Sequence, residues 1–418
     1  MIKKDVIKLG LVLCLLFSQW SAYASNPLPD KASCTGRCPP GKNAYTCYHS
    51  VSGTVSGVIG GVTLLSNEKT SLFVSNSGPF VFQDSTAEGK TYSVTVRTQP
   101  TTQTCNVING TGTMGNADVT NVSVTCSARM AYVSNFKPKG ISLCQVNPNE
   151  TLGACKLITL SGVSLKDPYQ IAVNKAGNLA YILDRVKSDV YLCPVNPDGS
   201  FGICKRSGNT GSPFNSPSGI AINKTESLAY VVNQAGSTVS KCPILPDGTF
   251  GACTDSGNTG VPFISSNGIT LNRAGNIAYV ANGWGGDSIS KCPILADGSF
   301  GACTDSGNTG TKFASPFGIT LNPAENIAYV TNNDSNSVSK CPILSNGSFG
   351  VCVDSGNTGA GFSFPSGITL NRIGNTAYVA NTTATSVLKC PIIAGGNFGV
   401  CVDSGSTFGN PLWITLAR

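Results

Sequence analysis

Cysteines spaced eleven residues apart are the residues of this chain most able to do covalent chemistry. The pairs are Cys144 with Cys155, Cys193 with Cys204, Cys242 with Cys253, Cys292 with Cys303, Cys341 with Cys352 and Cys390 with Cys401. Their first members recur at intervals of 49, 49, 50, 49 and 49 residues. Paired thiols either oxidise to disulfides or hold a metal. Between the cysteines lie Asp198-Gly199, Asp247-Gly248, Asp297-Gly298, Asn346-Gly347 and Gly395-Gly396; the first pair encloses Asn149-Glu150 instead. Such dipeptides accept the positive φ angles of two-residue type I′ hairpin loops. A loop at Asp247-Gly248 sets Leu245 opposite Phe250 and Cys242 opposite Cys253. The spacing therefore couples the cysteines two by two, as disulfides require and a metal site with three or four converging ligands does not. Closing so short a loop is worth about 3 kcal/mol in the chain-entropy model.

The remaining chemistry is sparse. Cys34, Cys38, Cys47 and His49 fall in one Pro- and Ser-rich stretch. They are either a zinc site or one disulfide with a thiol left over. His49 is the only histidine, so His-dependent triads and lyases are excluded from the rest of the chain, and no GxSxG, HExxH or GxxxxGK[ST] motif occurs. Asp247 and Asp297, and likewise Asp255, Asp305, Asp354 and Asp403, recur at equivalent turn positions, where Asp bonds its own backbone. A calcium-dependent lactonase-like hydrolase is the enzyme alternative and needs Glu, Asn and Asp converging on a channel. Glu150, Glu226 and Glu325 instead fall between strands. No cofactor is called for.

These residues need elements to hold them. Residues 1–24 read as a signal peptide: Lys3, Lys4 and Lys8, an apolar Leu9 to Phe17, and Ala22-Tyr23-Ala24 as cleavage site. Eighteen cysteines then suit an oxidising compartment, so export to the periplasm, cell surface or exterior is expected. With 12% charged residues and a formal charge of +7, nucleic acid is not expected as a partner, nor is a membrane span. Residues 25–50 are a Cys/Pro-rich linker. Residues 51–127 alternate short strands and turns, with Cys105 and Cys126 bridging the last two. They resemble the small β-sandwich modules that open with VSGTVSG and close with VTC in exported bacterial proteins, which implies a spacer or a sugar-binding module.

Residues 128–418 repeat the phrases AYVxN, VSKCPIL, DSGNTG and GITLN. A period near 50 with several short strands marks a β-propeller blade. The repeats open on Met130-Ala131-Tyr132-Val133, a second strand, and close on Trp413-Ile414-Thr415-Leu416, a first strand. The expected fold class is thus all-β: a six-bladed β-propeller closed by the C-terminal strand (3+1), behind an N-terminal small β-sandwich. AYVTN at Ala328 to Asn332 resembles the YVTN family of bacterial propeller repeats, related to the NHL type. That resemblance implies a surface or secreted propeller and names no ligand; the regular cysteine pair departs from the family's pattern.

One face of such a ring collects the loops after second and fourth strands. Asn135, Asp184, Asn233, Asn282, Asn332 and Asn381 end the second strands there. They are either a ring of groups for glycan hydroxyls or caps for their own turns. Four innermost strands begin with Gly219, Gly268, Gly318 and Gly367; the other two have Gln170 and Trp413. Asp167, Tyr169 and Arg185 share that sector, and Trp284 occupies the lengthened loop. Trp beside polar groups suits sugar stacking or a protein contact; the alternative is that Trp413 plugs the channel. The expected function is a non-enzymatic binding or interaction protein whose ligand is a glycan or a protein, or else a purely structural surface protein.

Overall fold

The computed structural model describes residues 47–101 and 103–417. The chain forms two compact units, one of residues up to Pro100 with Cys105–Cys126, the other of Thr101–Thr104 and everything from Ser127 onward. Both are built of four-stranded sheets. Among the described residues no helix is long and apolar enough to cross a membrane. The signal-peptide reading and Cys34 and Cys38 lie outside the described residues. Cys47 is disulfide-bonded, which removes it from the zinc alternative.

In the first unit one sheet has the order Gly78–Ala87, Tyr48–Ser56, Val119–Ala128 and Gln103–Ile108. The other runs Thr70–Val74, Val62–Ser66, Thr91–Thr98 and Thr111–Thr113. Alternation along the strands sends Val55, Leu64, Phe82 and Val124 into one core. The Cys105–Cys126 disulfide joins neighbouring strands.

The second unit contains six sheets, A to F. Sheet A joins Met130–Asn135, Gly140–Val146 and Leu152–Ile158 to the last strand of the chain, Pro411–Leu416, which pairs antiparallel with Met130–Asn135. Sheets B to F are consecutive strands, beginning at Pro168–Val173, Pro217–Ile222, Ser266–Leu271, Pro316–Leu321 and Pro365–Leu370. These first strands touch in the order B, C, D, E, F, then Pro411–Leu416 of sheet A, then B again. Every second strand is buried on both faces, because a neighbouring sheet covers each side; Ala278, Tyr279 and Val280 of sheet D are examples.

Each sheet carries one disulfide across its outer hairpin, and the pairing is the one the eleven-residue spacing predicts. Cys144 bonds Cys155 in sheet A, Cys193 bonds Cys204 in sheet B, and Cys242 bonds Cys253 in sheet C. Cys292 bonds Cys303 in sheet D, Cys341 bonds Cys352 in sheet E, and Cys390 bonds Cys401 in sheet F. Only in sheet A do both cysteines lie in strands of a regular ladder, with Cys144 and Cys155 directly opposed. In the other five the short fourth strand begins just after the second cysteine, at Lys205, Thr254, Thr304, Val353 and Val402. Cys204, Cys253, Cys303, Cys352 and Cys401 therefore sit in the segment between turn and strand, which is held to the third strand by the disulfide together with a backbone bond nearer the turn, such as Gly251 N–H to Pro243 O at 2.8 Å.

The turns of these hairpins differ from a two-residue type I′ loop. Ile244, not Leu245, faces Phe250, and Gly248 N–H donates to the Leu245 carbonyl at 2.8 Å. The turn is therefore Leu245-Pro246-Asp247-Gly248, and only Gly248 has positive φ (83°). Pro246 pre-sets the φ of the second turn position, and the glycine absorbs the left-handed bulge that follows. The first repeat makes the same turn with Glu150 at φ 63°, so Asn149-Glu150 is no departure in geometry. The turn aspartates bond locally as expected: Asp297 accepts from the Ser299 hydroxyl (2.6 Å) and N–H (2.9 Å), which hold its carboxyl at about 2.

That turn is where adjacent sheets meet. The AYVxN tyrosine of each sheet donates its hydroxyl to the turn of the next: Tyr132 to Gly199 O (2.6 Å), Tyr181 to Gly248 O (2.8 Å), Tyr230 to Gly298 O (2.7 Å), Tyr279 to Gly347 O (2.7 Å) and Tyr329 to Gly396 O (2.7 Å). Tyr378 of sheet F donates to the Glu150 carbonyl of sheet A at 2.9 Å. Five of these rings stack on a hairpin phenylalanine, as Tyr279 does on Phe349 at 5.2 Å. The DSGNTG phrase makes a second strap. Asn258 Oδ1 accepts from Cys303 N–H of the next sheet at 3.1 Å. Asn209 does the same for Cys253, Asn308 for Cys352 and Asn357 for Cys401.

Tyr279→Phe should destabilise the second unit by about 1 to 3 kcal/mol, since it leaves a buried carbonyl unpaired; equilibrium denaturation would measure it. Burial pushes the Tyr181, Tyr230, Tyr279 and Tyr329 hydroxyls up to about 12, and raises Tyr132 and Tyr378 as well. A raised folded-state value means the folded chain holds the proton more tightly than the unfolded one, whose tyrosines ionise near 10. Stability should thus hold up to about pH 10 and fall as pH rises toward 12, with tyrosinate absorbance appearing as the fold is lost. Ionisation of these six tyrosines near pH 10 in an intact fold would contradict the clasp.

Candidate functional site

The first strands begin on the face that also carries the loops between second and third strands. Their starts are tightly packed. A Cβ on Gly219 would lie 2.3 Å from the Asn267 carbonyl oxygen of sheet D, and one on Gly318 would lie 2.6 Å from that of Ser366 in sheet F. Glycine at these positions is a packing requirement. The two other sheets solve it differently. Gln170 Oε1 accepts from Ile220 N–H of sheet C at 2.7 Å. Trp413 lies over Gly268 and Gly367, where the missing side chains leave room for its ring.

Trp413 is only 3% exposed and sits 5.9 Å from the Phe317 ring, which in turn sits 5.7 Å from Tyr169. These aromatics come from sheets A, E and B, so the place where the first strands converge is filled by side chains. Of the readings open for Trp413, the packing favours the plug. Tyr169 is buried as well, with the Arg185 guanidinium 5.0 Å over its ring. Gln170, Tyr169 and Trp413 are brought together as the sequence suggested, but as packing rather than as open contacts.

The asparagines at the second-strand ends are likewise buried and bonded inside the fold. Asn233 Oδ1 accepts from Asn215 N–H (3.0 Å), and its amide donates to Thr238 (3.1 Å) and Ser240 (2.8 Å). Asn135, Asn282, Asn332 and Asn381 accept from Gly409, Ile264, Ala314 and Ser363 N–H in turn. Asp184 accepts from Lys166 (2.6 Å), Asp167 (3.1 Å) and Lys187 (3.1 Å) N–H. Each ties the segment entering its sheet to the end of the second strand, so these buried side chains do not form an open ring for hydroxyls.

Two features of the face remain turned outward. Trp284, at the tip of the loop Asn282–Asp287, is 68% exposed. Its loop is a tight turn, with Gly286 N–H donating to Gly283 O at 2.8 Å and Asp287 Oδ1 accepting from Ser315 N–H at 2.7 Å. The second feature is a set of cations on sheets A and B. Lys137, Lys139 and Lys166 are exposed, and Arg185 and Lys187 are half-buried. Sequence reasoning placed Arg185 in this sector but missed the four lysines, because the charges are dispersed over three loops and form no run. The three glutamates all have positive φ and serve turns: Glu226 and Glu325 accept from Lys175 and Arg273 N–H, and Glu150 pairs with Arg129 at 2.5 Å. Among the described residues no group of three or more His, Cys, Asp or Glu is arranged to hold a metal.

No family model and no curated protein matches the sequence. Solved structures do resemble the fold. The periplasmic gluconolactonase of Pseudomonas aeruginosa is 11% identical over 69% of this chain and 99% of its own, with a TM-score of 0.51. A Lactobacillus plantarum protein is 12% identical over 69% and 99%, with a TM-score of 0.51. A chain of the nidogen–laminin complex is 14% identical over 69% and 98%, with a TM-score of 0.52. At such identities the likeness is one of fold, and the second unit is a propeller-like, all-β structure.

Trp413→Ala should cost about 3 to 5 kcal/mol because it empties a packed centre, whereas Trp284→Ala should stay within about 0.5 kcal/mol. Thermal melts of the two variants would separate a buried support from an exposed contact.

Proposed function

We propose that the second unit is a six-bladed β-propeller closed by the C-terminal strand, and that the chain is an exported, non-enzymatic binding protein for a glycan or protein. The cyclic order of first-strand contacts and the Tyr378–Glu150 bond between sheets F and A support the closure. Seven disulfides between described cysteines and the signal-peptide pattern of residues 1–24 support export. The observation that carries binding is Trp284. A large aromatic ring held in water by a tight loop on a rigid frame contributes little to the fold, and tryptophan is the side chain that most often anchors a partner.

A lactonase-like hydrolase is the second reading, favoured by the likeness to the Pseudomonas gluconolactonase. The residues at the converging first strands do not fit a calcium site: they are aromatic rings, glycines and the bonded side chains of Gln170, Ser218, Asn267 and Ser366, while Asp184 beside them accepts backbone N–H groups and Asp167 pairs with the cations of Arg185 and Lys139.

The test uses the oxidised chain on a glycan array, beside Trp284→Ala, with gluconolactone turnover assayed in parallel. Binding that Trp284→Ala abolishes, without turnover, is the expected result. Lactone hydrolysis above the uncatalysed rate would overturn the non-enzymatic reading.

A further inference from the structure

Charge is not shared evenly around the loop face. The second loops of sheets C, D, E and F, residues 234–237, 283–287, 333–336 and 382–385, contain no Lys or Arg, and two of them carry Asp287 and Asp334. The corresponding loops of sheets A and B contribute Lys137, Lys139, Arg185 and Lys187, and the segment entering sheet B adds Lys166. Lys312, before sheet E, is the one exposed cation on the segments entering the other sheets.

Two buried carboxylates organise this corner. Asp184 accepts the N–H groups of Lys166, Asp167 and Lys187, which fixes two cation-bearing segments against each other. Asp167, 1% exposed, accepts from Arg185 Nε at 2.9 Å through Oδ2. Its Oδ1 accepts no hydrogen bond and lies 3.6 Å from Lys139 Nζ, which draws the loop of sheet A toward sheet B. Of the five cations two, Lys139 and Arg185, pair with Asp167, and Lys137 and Lys166 are exposed on the neighbouring segments, so positive charge is in excess at this corner. Phe136 lies among them, with Lys137 and Lys139 ammonium groups 5.5 and 5.6 Å from its ring centre. Cations held by buried partners lose less side-chain freedom on binding an anion than free ones do.

We infer that this corner binds an acidic polysaccharide, a chain of uronate sugars whose carboxylates meet Lys137, Lys139 and Lys166 while a sugar face rests on Phe136. The inference rests on the binding reading above and names its ligand class. Carboxylates repeating along a polymer complement cations spread over three loops, and an aromatic ring beside two ammonium groups suits a pyranose better than a bare anion. An exported chain meets such polymers outside the cell.

Binding of the full oxidised chain to polygalacturonate would be compared with its methyl-esterified, uncharged form. Polygalacturonate alone should bind, more weakly as salt rises. The Lys137→Glu/Lys139→Glu/Lys166→Glu variant should lose about tenfold or more in affinity, and Lys175→Glu/Lys224→Glu, on turns at the opposite ends of the strands, should lose none. The single Lys166→Gln variant, at an exposed ammonium, should show a smaller loss and keeps the test open if the triple variant misfolds. Equal binding of the esterified polymer, or affinity unmoved by charge reversal, overturns the inference. Equal binding of double-stranded DNA also overturns it, making the corner a general anion surface. If no acidic polymer binds while a Trp284-dependent array signal persists, this inference alone falls; if both are blank, the binding reading falls with it.

Discussion

A tyrosine hydroxyl donated to the hairpin turn of the next sheet is the contact on which the second unit depends. Apolar packing holds two sheets together but leaves their relative slide loosely defined, because it is non-directional. The hydroxyl fixes that slide, since the bond exists at one offset only. It also needs an acceptor that presents its carbonyl sideways, which the bulged turn at Gly248 and its equivalents provides. The disulfide behind the turn holds the two hairpin arms, and the Asn of the DSGNTG phrase grips the second cysteine's backbone from the preceding sheet. The phrases that repeat along the chain are thus the parts of one inter-sheet joint, made again with each sheet.

Because the repeated residues are committed to that joint, specificity is left to the residues that depart from it. Some departures are also structural. Gln170 and Trp413 replace glycine at the converging strands and fill the space there, and Glu150 replaces glycine in a turn while bonding both Arg129 and Tyr378. Others, such as Trp284, Lys137 and Lys166, project from the loop face and make it unequal from sheet to sheet. An enzyme reading puts the chemistry where the first strands meet; the packing fills that place and leaves the chemistry to the rim.

The sequence made the sheet repeat, the cysteine pairing and the sharing of a strand between the two ends of the repeats legible, because each depends on spacing alone. It misled where one dipeptide has two geometries. Asp-Gly suits a type I′ loop, yet Leu245-Pro246-Asp247-Gly248 contains a proline at the position that a type I turn prefers, and that residue was the available signal. The asparagines ending the second strands read equally as ligand groups or as caps, and only their burial and partners decide between them. Asp167 and Arg185 were legible as neighbours, but the lysines of the corner were not, because Lys139 and Lys166 join them through a buried carboxylate pair and not through nearness in the chain.

A crystal structure of the oxidised protein with a bound galacturonate oligosaccharide tests the central claim most directly. Sugar carboxylates are expected against Lys137, Lys139 and Lys166, with Trp413 still packed between Phe317 and the glycines of the neighbouring first strands. Sugar at the converging strands, with Trp413 displaced from that packing, would contradict the loop-face site and return binding to the first strands.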